Sequence, residues 1–115
     1  MMYDEDFEYV SISVDKIIYE ALLAQGGRPA YNVKRAVDYY YNIKEADEQK
    51  FIEMFGKLIY KYYDIIFARS KKDVHNLRCY IAKKDCNRQY NLSIVITIMI
   101  LFWFEYALGV EFNNV

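Results

Sequence analysis

The chain has 115 residues, of which 55% are hydrophobic and 27% are charged, and its formal net charge is -1. This length indicates one domain or a small domain with an extension, and the apolar content excludes wholesale disorder. A net charge near zero provides no general attraction for a polyanion, and the acidic N-terminus is unlike a secretory leader. The two cysteines are therefore interpreted as reduced thiols, and we expect a cytoplasmic protein. Abundant Tyr, Ile, Lys and Asn are typical of an AT-rich genome, such as that of a virus or plasmid.

The first regular pattern is an alternation over residues 9–14, which predicts a short strand with one buried face. Three apolar side chains alternate there with three hydroxyl-bearing ones: Val10, Ile12 and Val14 with Tyr9, Ser11 and Ser13. A lone strand leaves its backbone N–H and C=O groups unpaired, so we expect it to pair with the same strand of a second copy. The three apolar residues would then be dimer contacts. The alternative is an edge strand, or an irregular lead-in to a helical protein-binding domain.

Two helices are predicted to follow the strand. Asp15 is a suitable N-cap for the first, and Gly26 and Gly27 end it. Pro29 opens the second helix, which is predicted to run to about Lys44. Strand, helix, glycine turn and helix therefore follow one another within about forty residues.

This segment resembles the ribbon-helix-helix DNA-binding domains of the Arc and CopG type. The matching features are the alternation V-S-I-S-V, the helix opener Asp15-Lys16, the sequence Y-E-A-L of the first helix and Arg35-Ala36-Val37 of the second. The resemblance covers residues 9–44, about a third of the chain. It implies a strand paired across a dimer, followed by two helices, with the paired strands in the DNA major groove. Together with the helical patterns of residues 46–115, this predicts a fold that is mainly α, with about three further helices.

The resemblance also implies two classes of DNA contact. Base edges would be touched by the outward-facing strand residues Tyr9, Ser11 and Ser13. A phosphate would be held at the start of the second helix by Arg28, Tyr31, Lys34 and Arg35. Residues 68–88 carry seven basic and two acidic side chains, so Lys71 and Lys72 are expected as a second phosphate contact.

Residues 46–115 are predicted to form a helical extension to the N-terminal unit of residues 1–45. Asp47 can cap a third helix, and Ser70 with Asp73 resembles a capping box for a fourth. A last helix is expected from about Tyr90 to Leu108, because residues 92–104 carry no charge. Such a helix is buried in protein or crosses a membrane, and we favour burial.

Three consecutive aromatic residues near the end of the last helix, Phe102, Trp103 and Phe104, cannot all face one core in a regular α-helix. One of them is therefore expected to point outwards. Trp103 and Phe104 are accordingly candidates for an oligomer or partner contact.

The sequence contains no residue pattern that is typical of a catalytic or metal-binding site. His75 and Cys79 lie four residues apart, with Cys86 beyond, but a zinc site usually needs four ligands in short paired spacings. A nucleophile–His–acid set cannot be assembled from a single His. We therefore expect neither an enzyme nor a bound cofactor or metal.

The sequence thus predicts a homodimeric, sequence-specific regulator of transcription that binds double-stranded DNA through its paired strands. The alternative is a small helical module for protein–protein interaction, such as a viral or phage inhibitor or adaptor of a host factor. A third interpretation is a tail-anchored membrane protein. DNA binding should weaken steeply as salt rises, whereas an adaptor should have no affinity for DNA.

Overall fold

The computed structural model describes residues 11–66, 71–81 and 91–112, and within them the chain is helical. The helices are α1 (Lys16–Ala24), α2 (Pro29–Ala46), α3 (Glu48–Tyr62), α4 (Lys71–Ile81) and α5 (Leu92–Phe102), which continues into a π-helical turn (Trp103–Ala107). The prediction of a mainly α protein is confirmed.

The helix termini follow local sequence chemistry. The Asp15 carboxylate accepts the N–H of Ile17 at 2.9 Å, and the Asp47 carboxylate accepts the N–H of Lys50 at 3.1 Å. Both residues satisfy backbone donors that the first helical turn leaves unpaired, as their position predicts. Gly26 follows α1 with φ +81°, a left-handed conformation that glycine adopts without steric penalty.

The predicted strand is wrong, and with it the ribbon-helix-helix architecture. Residues 11–15 have no regular secondary structure, no strand occurs in the part of the chain that the structure describes, and Tyr9 and Val10 lie outside it. The N–H of Ser13 donates to the Ser93 hydroxyl of α5 at 2.8 Å. Ile12 and Val14 are half-buried. One-sided burial against helices, without strand pairing, therefore accounts for the alternation, and the irregular lead-in is the alternative that the structure shows.

An aromatic cluster contributed by α2, α3 and α5 forms the centre of the core. Phe102 lies with its ring centroid 5.2 Å from that of Phe51 and 5.8 Å from that of Tyr40. Tyr40 in turn meets Phe51 edge-on at 4.9 Å. Each of these rings is essentially inaccessible to solvent. Helix α5 therefore stabilises the fold from within, as a helix that is apolar on all sides must when protein surrounds it.

The angle between α1 and α2 is fixed by a buried amide. Asn32 is 1% exposed, and its Nδ2 donates to the carbonyl oxygens of Leu22 and Gly26, each at 2.9 Å. One side chain of α2 thus bonds to the last turn of α1 and to the glycine turn after it, where the Leu22 carbonyl also accepts the N–H of Gln25. The two helices are held by hydrogen bonds as well as by apolar packing, with Ile18 of α1 and Ala36 of α2 both buried in the core.

Helix α4 packs on α3 through Val74 and Leu77, which are both buried. The Arg78 guanidinium lies 5.2 Å from the Tyr60 ring centroid and covers Gly56. A Cβ at Gly56 would lie 2.9 Å from Arg78 Nε, so glycine allows this close approach. Among the described helices, α4 contacts only α3.

The end of α5 departs from the regular helix that the sequence predicts. The N–H of Leu108 donates to the Trp103 carbonyl at 3.1 Å, which closes the π-helical turn. Phe102, Trp103 and Phe104 are all buried, so the expectation that one of them points outwards is wrong. The seven residues from Ile98 to Phe104 are all buried, because α1, α2 and α3 pack around α5, and the three consecutive rings therefore lie inside. Within the described residues, no helix has both the length and the apolar character to cross a membrane.

Candidate functional site

An open groove of about 380 Å³ lies between α1, α2 and the first turns of α5. We call it the apolar groove, because its walls carry no charged side chain among the residues described. Its lining residues are Ile12, Val14, Tyr19, Leu22, Pro29, Ala30, Val33, Leu92 and Ile96. Clefts of this volume with mainly apolar walls are the usual form of a binding site.

Two large side chains of the apolar groove remain half exposed. Tyr19 is 46% exposed and Leu92 is 49% exposed, although the core residues beside them are almost inaccessible to solvent. Tyr19 stands next to Ile18 on α1, and only Ile18 faces the core. Leu92 is the first residue of α5, directly after the Asn91 cap. Covering the exposed half of each side chain would stabilise a complex by about 1 kcal/mol.

The charged residues beside the apolar groove are mostly paired with each other. Lys16 and Glu20 lie 3.8 Å apart, and Lys34 and Asp38 lie 2.9 Å apart, each pair one helical turn apart along its own helix. The hydrogen bond to Asp38, followed by its negative charge, raises the pKa of Lys34. Arg28, which precedes Pro29 in the groove wall, is exposed and forms no ion pair with the residues described.

A polar cluster lies at the π-helical turn, and we call it the Lys61 clamp. Lys61 Nζ bonds to Glu105 Oε1 at 3.1 Å and also to Glu111. The Tyr62 hydroxyl accepts the N–H of Phe112 at 3.3 Å. The Glu105 side chain is 18% exposed, and its second carboxylate oxygen has no partner among the described residues. These bonds join the C-terminal residues to α3, so we interpret the cluster as a structural clamp.

The pKa values of the lysine and the tyrosines in and beside the clamp are all raised. Desolvation lowers the pKa of Lys61, but the hydrogen bond and charge of Glu105 outweigh it, so the pKa is raised. Burial, followed by the Glu105 carboxylate, raises the pKa of Tyr62 and of Tyr106. A raised folded-state pKa contributes stability that is complete below the unfolded value, about 10 for Tyr and Lys. That contribution is lost as the pH rises through the folded value.

Replacing Lys61 with Met tests the clamp. We expect Lys61→Met to lower the free energy of unfolding by about 1 kcal/mol at pH 7, because Glu105 loses its cation while Lys61 is partly screened by solvent. The difference from wild type should shrink as the pH rises above the ordinary lysine pKa of 10.5 and through the raised pKa of Lys61. Urea unfolding across this pH range measures both effects. Lys57→Met, an exposed change on the same helix, is the control, and a difference that stays constant with pH would contradict the assignment.

The residues predicted to contact DNA lie on three parts of the structure: the segment before α1, the start of α2 and the start of α4. Of the base readers, Ser11 and Ser13 lie in the irregular lead-in. Arg28, Tyr31 and Lys34 are exposed around the first turns of α2, but the Arg35 guanidinium lies 5.4 Å from the Trp103 ring centroid and covers a core residue. Lys71 and Lys72 begin α4, which packs on α3. The structure therefore offers no strand face for these contacts within the described residues, and DNA binding itself stays a prediction.

The other candidate residues divide between groove and core. Ile12 and Val14, predicted as dimer contacts, line the apolar groove, and Val10 lies outside the described residues. Trp103 and Phe104 are buried inside the chain. The Cys79 thiol lies 3.6 Å from His75 Nε2, but no group of three or more candidate metal ligands occurs in the described ranges.

Sequence reasoning missed the apolar groove itself. One indication was available: α1 carries Ile17, Tyr19 and Leu23 in addition to the buried Ile18 and Leu22, more large apolar residues than one buried stripe uses. The position of Leu92 had no such indication, since it depends on how α5 packs against helices about sixty residues earlier in the chain.

The chain matches no protein-family model, and no curated protein or solved structure is similar to it at a significant level.

Proposed function

We propose that this protein is a small helical interaction module that holds an apolar segment of another protein in its apolar groove. The observation that carries the proposal is an open cleft whose large side chains, Tyr19 and Leu92, stay half exposed beside a closed core. Exposed apolar surface in a concave site is characteristic of a surface that a partner covers.

The walls of the apolar groove determine what it can recognise. Its walls provide apolar contact over a few side chains, and Tyr19 adds a rigid ring of the kind that is enriched where binding energy concentrates. The described walls carry no carboxylate pair, imidazole or metal-ligand set on which a reaction could be built. Binding of a protein segment is therefore the chemistry that the site supports best.

Groove variants test the proposal with peptides selected on the purified protein. Peptides enriched from a random displayed library would be measured by fluorescence anisotropy. We expect Leu92→Glu and Tyr19→Glu to weaken their binding at least about tenfold, because each would place a carboxylate against apolar side chains. Leu108→Glu is the matched control: Leu108 is also a half-exposed leucine, but it is not among the residues that line the groove.

Either of two results would overturn the proposal. No peptide is enriched, or the enriched peptides bind the groove variants as tightly as they bind wild type. The same anisotropy assay with a random duplex DNA pool, at low and physiological salt, tests the regulator interpretation. DNA binding that survives physiological salt and is unaffected by Leu92→Glu would favour the regulator. The expected cytoplasmic location and homodimer also stay predictions.

A further inference from the structure

We infer that the segment held in the apolar groove carries a carboxylate next to its apolar side chains, and that this carboxylate pairs with Arg28. The inference rests on the proposed function, since it names the chemistry of the partner at the same site. The proposed occupant is a segment of another protein that has both an acidic and an apolar part. The acidic part would pair with Arg28, and the apolar part would cover the groove walls.

The charges beside the groove do not cancel evenly. Lys16 is paired with Glu20, and Lys34 with Asp38. The Asp15 carboxylate is engaged by the N–H of Ile17. Arg28 is the charge next to the groove wall that has no such partner among the described residues. Asp15 keeps its negative charge at the N-terminus of α1, which partly offsets the charge of Arg28, so the uncompensated charge at the start of α2 is positive.

The start of α2 strengthens this positive potential. Arg28 is the N-cap residue but makes no side-chain capping bond, and the first turn of α2 contains no acidic residue. By contrast, α1, α3 and α5 are capped by Asp15, Asp47 and Asn91. A negative charge near a helix N-terminus contributes about 0.3–1 kcal/mol, and Pro29 and Ala30 place this terminus in the groove wall.

An acidic apolar segment satisfies both features, whereas other occupants satisfy only one. A basic segment would bring a second positive charge to Arg28. A nucleic acid phosphate could pair with Arg28 but would leave the apolar walls uncovered. Electrostatic complementarity beside an apolar cleft selects among partners more than it adds affinity, so a preference between peptides is the quantity to measure.

Two synthetic fluorescent peptides test the charge preference on the full chain. Both carry the same core of two leucines and a phenylalanine, flanked by aspartates in one and by lysines in the other. We expect the aspartate peptide to bind wild type more tightly. Arg28→Glu should weaken the aspartate peptide by about three- to tenfold and strengthen the lysine peptide, since it replaces attraction with repulsion. Lys57→Glu, an exposed change on α3, should alter neither.

The outcomes separate this inference from the proposed function. Two peptides that bind equally well, sensitive to Leu92→Glu but not to Arg28→Glu, would overturn the acidic preference and leave the interaction module standing. Failure of both peptides to bind, or binding unaffected by Leu92→Glu, would overturn both proposals. Sedimentation equilibrium completes the test, because a dimer that Leu92→Glu dissociates would show that a second copy fills the groove and would overturn the assignment of a foreign segment.

Discussion

Replacing Phe102 with Ala should lower the free energy of unfolding by about 3–5 kcal/mol, the largest effect expected of any substitution considered for this protein. Phe102 is fully buried, and its ring contacts rings from both neighbouring helices: Tyr40 of α2 and Phe51 of α3. Removing it leaves a cavity that these partners cannot close without moving their helices. Domains of this size are stable by about 5–15 kcal/mol, so the variant should lose a large fraction of the total stability.

Urea unfolding followed by circular dichroism and by the fluorescence of Trp103 measures this loss. Trp103 is the one tryptophan of the chain and is buried beside Phe102, so its emission reports on the same region. Tyr41→Ala is the matched control, because the Tyr41 ring meets Tyr40 at 5.3 Å but is 48% exposed. A Phe102→Ala protein as stable as the Tyr41→Ala protein would contradict a core centred on α5.

Replacing Asn32 with Leu should cost about 2–3 kcal/mol, although the two side chains are similar in size. The change removes both N–H donors of the Asn32 amide. The Gly26 carbonyl then has no partner, and the Leu22 carbonyl loses one of its hydrogen bonds. The same variant should weaken peptide binding, because Asn32 holds the angle between the two helices that form walls of the apolar groove.

Asn42→Leu, an exposed position further along α2, is the control for this substitution. Chemical denaturation gives the stability difference, and anisotropy with a selected peptide gives the binding difference. Equal stability of the Asn32→Leu and Asn42→Leu proteins would show that the amide does not join α1 to α2. A destabilised Asn32→Leu protein that still binds peptide with unchanged affinity would show that this helix angle does not shape the groove.

The helix termini could be predicted from sequence because they depend on a few adjacent residues. The effects of Asp15, Asp47 and Pro29 are local: the two carboxylates accept hydrogen bonds from nearby backbone N–H groups, and the proline fixes its own φ angle. The strand could not be settled in this way. The alternation around Ile12 indicates that one face of the segment is buried, but it does not indicate what covers that face. In the structure, helices cover it instead of a second strand.

The apolar groove could not be predicted from local sequence patterns, because residues far apart in the chain form it. It needs Ser13 to meet Ser93, eighty residues later, and it needs Leu92 to stand beside α1 and α2. The burial of Trp103 and Phe104 likewise depends on the helices that pack around α5. Both features arise from the tertiary packing of α5: the uncharged run of residues 92–104 predicts that the helix is buried, but it does not indicate which elements cover each side chain.

The most direct test of the interaction module is a nuclear magnetic resonance titration of the ¹⁵N-labelled full chain with a selected peptide. We expect amide shifts to concentrate at Leu22, Val33 and Ile96 in the groove walls, while the amides of Lys61 and Tyr106 at the clamp stay unchanged. Shifts that concentrate on α4 or at the clamp, with the groove amides unmoved, would contradict the assignment of the apolar groove as the binding site.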